Sequence, residues 1–216
     1  MVLFMLRKDI DEFINTIPAN VTVVAATKYV GPTDMLDLYK HGIKNFGENR
    51  TEAFLEKYEA LKDYKDIKWH FIGHLQRNKA QDVINKIDCL HSLDSIKLAK
   101  LIEEKREKPL DCFIEVSINM EESKNGVPYK EINEFMTEVL KYKKINVVGF
   151  MMMAIKNDTY DDILKQFKAL KYLKERVEKD FNIKLPYLSM GMSDDYKEAI
   201  EAGSTHIRLG RILWNL

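Results

Sequence analysis

Apolar and polar residues follow two periods along this chain, and the period switches from one to the other throughout its length. Val21-Thr22-Val23-Val24-Ala25-Ala26-Thr27-Lys28 is a run of small and β-branched residues bounded by Asn20 and by Gly31-Pro32. Such a run reads as a strand buried on both faces. Seven further short runs follow: Ile43 to Phe46, Trp69 to Ile72, Cys89 to His91, Cys112 to Ser117, Val147 to Met152, Pro186 to Ser189 and Thr205 to Leu209. Between them the apolar positions recur at helical spacing, as in Ala80-Val83-Ile84-Ile87, Ile132-Phe135-Met136-Val139 and Ile163-Phe167-Leu170-Val177. Thr33 is the expected cap of the helix carrying Met35, Leu36 and Tyr39, with Gly42 its stop, and Pro128 is expected to open the helix before Val147. Ahead of the first strand, Leu3, Leu6, Ile10, Phe13, Ile14 and Ile17 predict an amphipathic helix ended by Pro18.

Eight strands alternating with helices predict an α/β fold: a single (β/α)8 TIM-like barrel with an extra N-terminal helix, one domain over residues 1–216. An open doubly wound sheet would announce a glycine-rich turn after its first strand, and that place holds Lys28-Tyr29-Val30-Gly31. The chain stops soon after the eighth strand, so the N-terminal helix is the candidate to cover that position.

Composition narrows the possibilities by exclusion. A chain of 216 residues can bury roughly 70% of its unfolded surface. Lys+Arg and Asp+Glu are both 34, a formal net charge of +0, so no global field draws in a polyanion, and neither nucleic acid nor membrane is an expected partner. Lys141, Lys143 and Lys144 cluster where a helix should end, a place that suits cations through the helix dipole. Cys89 and Cys112 are the only cysteines and form no Cys-x-x-Cys pair, as expected of a cytoplasmic protein. The apolar opening Met1 to Leu6 is too short for a signal peptide or a membrane span.

In a parallel barrel the C-terminal strand ends share one rim, and ligands bind there. Strand alternation places Lys28 on the face of Thr22, Val24 and Ala26, with room around its amine. The rim also carries Asn49, Met151, the stretch Ser189-Met190-Gly191-Met192-Ser193 and the stretch Arg208-Leu209-Gly210-Arg211. Ser189 to Ser193 combines a glycine, two hydroxyls and the start of a helix, so backbone N–H groups and the positive end of a dipole converge there. Gly210 and Arg211 add donors from the neighbouring strand end. The plainer alternative is that Ser193 caps its helix, with Asp194 and Asp195 complementing the dipole. Arg208 lies one step deeper on the same face, where a buried guanidinium needs acceptors; an ion pair with Glu115 is one way to supply them. A lysine on one side, an anion grip on the other and an arginine between them describe a pocket for pyridoxal 5′-phosphate (PLP). The five histidines show no metal-ligand spacing, so no metal site is expected, and His70 and His91 read as satisfied interior histidines.

At these residues the chain resembles the pyridoxal phosphate homeostasis protein family, small relatives of the alanine racemase N-terminal barrel. The resemblance rests on Ala25-Ala26-Thr27-Lys28, Phe46-Gly47-Glu48-Asn49, Trp69 to Lys79, Ser123-Lys124-Asn125-Gly126, Gly149-Phe150-Met151, Ser189 to Asp195 and Ala202 to Gly210. It implies that Lys28 carries the cofactor as a Schiff base, that Ser193 with the Gly210 and Arg211 backbone holds the phosphate, that Arg208 faces the pyridine nitrogen and that Asn49 lies near the ring. Met151 and Ser189 complete the expected cofactor-binding set, and no catalytic residue is assigned. The implied role is intracellular PLP homeostasis or carriage with effects on amino-acid and keto-acid balance, by a monomer that passes the cofactor to PLP-dependent apo-enzymes. Two departures stand out: Arg211 replaces a small residue, often threonine, and the chain ends at Asn215-Leu216 where the family continues, so a shorter or less ordered end is expected.

Enzymatic turnover is not expected. Racemisation needs an acid/base on each face of the substrate, and in two-domain racemases one comes from a second domain for which no residues remain here. A cation at Arg208 would also keep the ring nitrogen unprotonated and weaken the ring as an electron sink. The alternatives are a PLP-dependent racemase of low activity, using Lys28 with Tyr29 or His74, and a Schiff-base aldolase gripping a sugar phosphate.

Overall fold

The computed structural model describes residues 5–118, 126–155 and 158–215. A short strand β1 (Met5–Leu6) precedes α1 (Ile10–Asn15), after which eight parallel strands wind through the chain. These are β2 (Thr22–Ala26), β3 (Asn45–Glu48), β4 (Lys68–Phe71), β5 (Cys89–Leu93), β6 (Leu110–Ser117), β8 (Ile145–Met151), β9 (Tyr187–Ser189) and β10 (His206–Leu209). Each pairs with the next, and β10 pairs back onto β2, so the sheet closes into a barrel. The helices between strands are α2 (Pro32–Lys40), α3 (Thr51–Ala60), α4 (Arg77–Val83), α5 (Ile96–Lys105), α6 (Ile132–Val139), α7 (Tyr160–Phe181) and α8 (Tyr196–Glu201). The sequence-predicted (β/α)8 barrel is therefore the fold. No helix among the described residues is long and apolar enough to cross a membrane.

Strand alternation sends one set of side chains outward against the helices and the other into the barrel. The outward layer is apolar: Phe46, Leu90, Ile114, Phe150, Leu188, Ile207 and Leu209 pack against buried helix residues such as Phe54, Ile102, Met136 and Phe167. The inward layer differs from the branched aliphatic filling usual in such barrels. Cys89, Phe113, Val148 and Met151 form a small apolar cluster, and beside it His70, His91, Glu115, Ser189 and Arg208 are buried too.

α1 packs between α8 and the end of α2. Its Ile10 and Phe13 are buried, Phe13 stacks edge-on against Tyr196 of α8 at 5.9 Å, and Asp11 bonds His41 at the end of α2 at 2.7 Å. Three local expectations need correction. Leu6 is not helical: it and Met5 pair antiparallel with β11 (Trp214–Asn215), which satisfies backbone groups that a longer helix would have used, and α1 begins only at Ile10. Leu3 of the predicted helix and Leu216 lie outside the described residues. The same pairing orders the C-terminal end expected to be loose, with Trp214 buried. Gly31 rather than Thr33 is the N-cap of α2, because Pro32 at the first position needs no N–H partner and Asp34 Oδ2 accepts the Gly31 amide at 2.9 Å. Pro128 does open the helical stretch before β8, as the N-cap of a 3-10 turn (Tyr129–Glu131) that runs directly into α6 at Ile132, and with Val127 it also forms β7, paired to the end of β6.

Candidate functional site

Register places the site. Arg208 lies level with Val24 across the β10–β2 pair, and one inward step further on Gly210 lies beside Ala26. Lys28 is the next inward position on the first chain, past the end of β2, so it stands at the C-terminal rim. A cavity of about 740 Å³ opens there, and Lys28, Ser193, Arg208, Gly210 and Arg211 all line it. Those are five of the eight residues expected to hold a cofactor.

Lys28 is exposed to the cavity mouth, and its Nζ lies 4.7 Å from the centre of the Tyr29 ring. Behind it the strand end is tied down. The Thr27 side chain points away from the cavity and donates to Glu48 Oε1 at 2.6 Å; Lys57 donates to the Thr27 carbonyl at 2.7 Å and pairs with the same Glu48 carboxylate. Sequence reasoning missed Lys57. The signal was present, since it sits three residues after Phe54 and four before Leu61, on the face of α3 that is otherwise apolar.

The loop after β9, the stretch expected to grip an anion, lines the same cavity. Ser193 does not cap α8, whose N-cap is Asp195. Its hydroxyl oxygen instead accepts the amides of Gly210 at 3.2 Å and Ile212 at 3.4 Å, so two donors from the segment after β10 converge on a residue of the loop after β9. Gly191 turns the loop at φ +94°, and a side chain there would start 2.5 Å from Ala199 Cβ. Both aspartates line the same cavity, each with a partner of its own: Asp194 is exposed and pairs with the Arg211 side chain at 2.5 Å, while Asp195 accepts the Met192 amide at 2.5 Å. Burial raises the Asp195 carboxyl above its ordinary range.

Arg208 forms the floor and is buried. Nη1 donates to the Ser189 carbonyl at 2.9 Å and hydroxyl at 2.8 Å, and Nη2 to the Met152 carbonyl at 3.1 Å. All three acceptors are neutral, and no ion pair with Glu115 forms. Burial lowers the guanidinium to about 10, with Asp195 and Glu115 pulling the other way through space. Burial likewise raises Glu115 to about 7.

The remaining expected residues lie off this lining. Ser189 is fully buried beneath Arg208, and Met151 packs inside the barrel with Cys89, Phe113 and Val148. Asn49 sits at the rim beside Gly73, and among the described residues its Oδ1 is the buried side-chain atom without a hydrogen-bond partner. Ser123, Lys124 and Asn125 of the sequence motifs lie outside the described residues. His74 bonds Asp94 at 2.9 Å and does not line the cavity. Donor atoms of His70, Cys89 and His91 lie within 4.8 Å of one another, but the ring nitrogens of both histidines are already engaged in hydrogen bonds.

This arrangement suits a small aldehyde that carries an anionic group. The amine and the Ser193 hydroxyl line one cavity, and Gly210 leaves its wall open because a Cβ there would meet only Ala26 at 3.7 Å.

Comparison with known proteins gives the family. A family model described as "Alanine racemase, N-terminal domain" matches residues 4–216. The chain is 38% identical over 195 residues to the pyridoxal phosphate homeostasis protein of Aquifex aeolicus, covering 89% of this chain and 85% of that one. It belongs to the pyridoxal phosphate homeostasis protein family. Another member of the family, from Synechocystis, is 37% identical over 94% of both chains. Among solved structures, PipY of Synechococcus elongatus with PLP bound superposes with a TM-score of 0.89 at 25% identity, covering 95% of this chain and all of that one.

Proposed function

We propose that this protein binds PLP as a Schiff base on Lys28 and serves intracellular PLP homeostasis as a carrier, with effects on amino-acid and keto-acid balance. One observation carries the reading: a single cavity is lined by an exposed lysine, by a serine hydroxyl on which two backbone amides converge, and by a buried arginine. The Lys28 amine condenses with the cofactor aldehyde and releases water. Ser193 and the Gly210 and Arg211 backbone receive the phosphate, Arg208 lies opposite the pyridine nitrogen, and Asn49 borders the ring. When bound, PLP supplies an aldehyde that holds amines reversibly and a ring that can draw electrons from them.

The position of Arg208 supports a carrier over an efficient enzyme. A guanidinium next to the ring nitrogen disfavours a proton there and weakens the ring as an electron sink. The role extends to delivery of PLP to apo-enzymes by a monomer in the cytoplasm. A second reading, a racemase of low activity, is favoured by Tyr29, whose ring lies 4.7 Å from Lys28 Nζ and could supply an acid/base partner.

The test is an absorption spectrum with added PLP, followed by borohydride reduction and peptide mapping. Visible absorption and a reduced adduct on Lys28, both lost in a folded Lys28→Ala variant, support the reading. A wild-type protein that stays colourless with PLP overturns it. Loss of optical activity from L-alanine or L-serine, abolished in the same variant, would favour the racemase.

A further inference from the structure

A continuous chain of hydrogen-bonded side chains runs through the inside of the barrel to the floor of the cofactor pocket. Arg208 Nη1 lies 2.8 Å from Ser189 Oγ, Ser189 Oγ lies 2.8 Å from His91 Nδ1, and His91 Nε2 lies 2.9 Å from His70 Nδ1. His70 Nε2 ends the chain 3.0 Å from Asn45 Oδ1. His91 is fully buried and His70 nearly so.

The direction of every bond follows from its first member. A guanidinium only donates, so Ser189 Oγ accepts from Arg208 and its own hydrogen must point elsewhere. Among the described residues the other partner within reach is His91 Nδ1. That nitrogen must then accept, which leaves the proton of a neutral ring on Nε2. His91 Nε2–H donates to His70 Nδ1, and His70 in turn carries its proton on Nε2, facing the Asn45 carbonyl oxygen. Burial keeps both rings neutral, His70 falling to about 3 and His91 well below its ordinary value.

We propose that His91, supported by His70, is a positioning residue for Arg208: it takes the Ser189 proton, so that the Ser189 oxygen stays turned toward the guanidinium. The proposal rests on the reading above, in which Arg208 faces the pyridine nitrogen. Its consequence is a cation fixed by neutral acceptors where the ring nitrogen comes to lie, with Asp195 and Glu115 acting on it only through space. If His91 could not accept, the Ser189 hydroxyl would be free to turn, and one of three anchors of the guanidinium would loosen. The three together matter because a buried polar network is worth most when every member is satisfied.

The experiment has two arms. Heteronuclear NMR of the histidine side-chain nitrogens, on wild-type protein without added cofactor, is expected to show His91 and His70 each as the neutral Nε2–H tautomer. A proton on His91 Nδ1, or a mixture of tautomers, overturns the proposal whether or not PLP binds. The second arm compares PLP affinity and the visible band of His91→Asn, whose amide oxygen falls where Nδ1 accepts, with those of His91→Leu. The leucine variant is expected to bind PLP about tenfold more weakly, on the order of one lost charge-assisted hydrogen bond, with a shifted band. The asparagine variant is expected to stay close to wild type. Equal affinities and spectra in all three overturn the positioning role. Should the leucine variant fail to fold, the wild-type tautomers and the asparagine variant still decide the matter. Failure of wild-type protein to bind PLP would sink the reading of the pocket, and the tautomer result would be judged separately.

Discussion

Lys57 and Glu48 form a buried ion pair directly behind the strand end that carries Lys28. The pair shares its acceptors with Thr27, so the residue before Lys28 is held by its hydroxyl and its carbonyl at once. Removing one member of such a pair leaves an uncompensated charge in the core, a cost of about 3–5 kcal/mol. Lys57→Met is therefore expected to lower the thermal midpoint by roughly 10 °C. Lys57→Met combined with Glu48→Leu should recover much of that loss, because apolar replacement of both partners is often neutral. Thermal melts of the two variants check this, and a double variant no better than the single one contradicts it.

Ser193 has an effect on the protein without any ligand. Its oxygen is the acceptor for two amides, from Gly210 and Ile212, so Ser193→Ala leaves both donors without it. The expected loss is about 1–3 kcal/mol of stability, read from urea midpoints. PLP titration should show a larger defect in affinity than in stability. A variant with wild-type affinity would mean that the phosphate is held elsewhere.

Gly73 secures Asn49 by close approach. A Cβ built there would lie 2.5 Å from the Asn49 carbonyl oxygen and 2.7 Å from its Cα. Both are backbone atoms and cannot swing aside. Gly73→Ala is expected to cost about 1–3 kcal/mol and, by displacing Asn49, to weaken PLP binding. Calorimetry and a binding titration on the same preparation measure the two effects.

Acid should unfold this barrel earlier than its balanced charge suggests. Burial holds His70 neutral down to about 3 and His206 to about 4, and His91 lower than its ordinary 6.5 as well. In the unfolded chain these rings take up protons near 6.5. Between about 6.5 and 4 the unfolded state thus binds more protons, and stability falls as pH falls. Above that range the histidines contribute no slope. Glu115 acts in the opposite sense, since its folded pKa is raised to about 7 from 4.5: the stability it contributes is present below 4.5 and is lost as pH rises through 7. Three histidines outweigh one carboxyl, so urea midpoints should drop from pH 7 to pH 5. In Glu115→Gln the drop should be steeper. A flat profile would show that the histidines are not shielded.

The barrel was legible because its signal is local. Eight apolar strand runs separated by helical spacing specify eight βα units without reference to anything distant, and the N-terminal helix was legible from Ile10 to Asn15. Lys28, Ser193, Gly210 and Arg208 could be placed on one rim because parity along a strand and position at its end follow from chain order in a closed parallel sheet. The family motifs supported the same placement. Tertiary structure decided the rest. Met5 and Leu6 became a strand because a partner strand arrives from the other end of the chain. Ser193 serves two distant amides instead of its own helix, and Arg208 found Ser189 and Met152 in place of Glu115. Lys57, His91 and His70 entered the support of the site for the same reason. Hydrogen-bond partners and burial depend on what closes over a residue, and residues far apart in sequence do the closing.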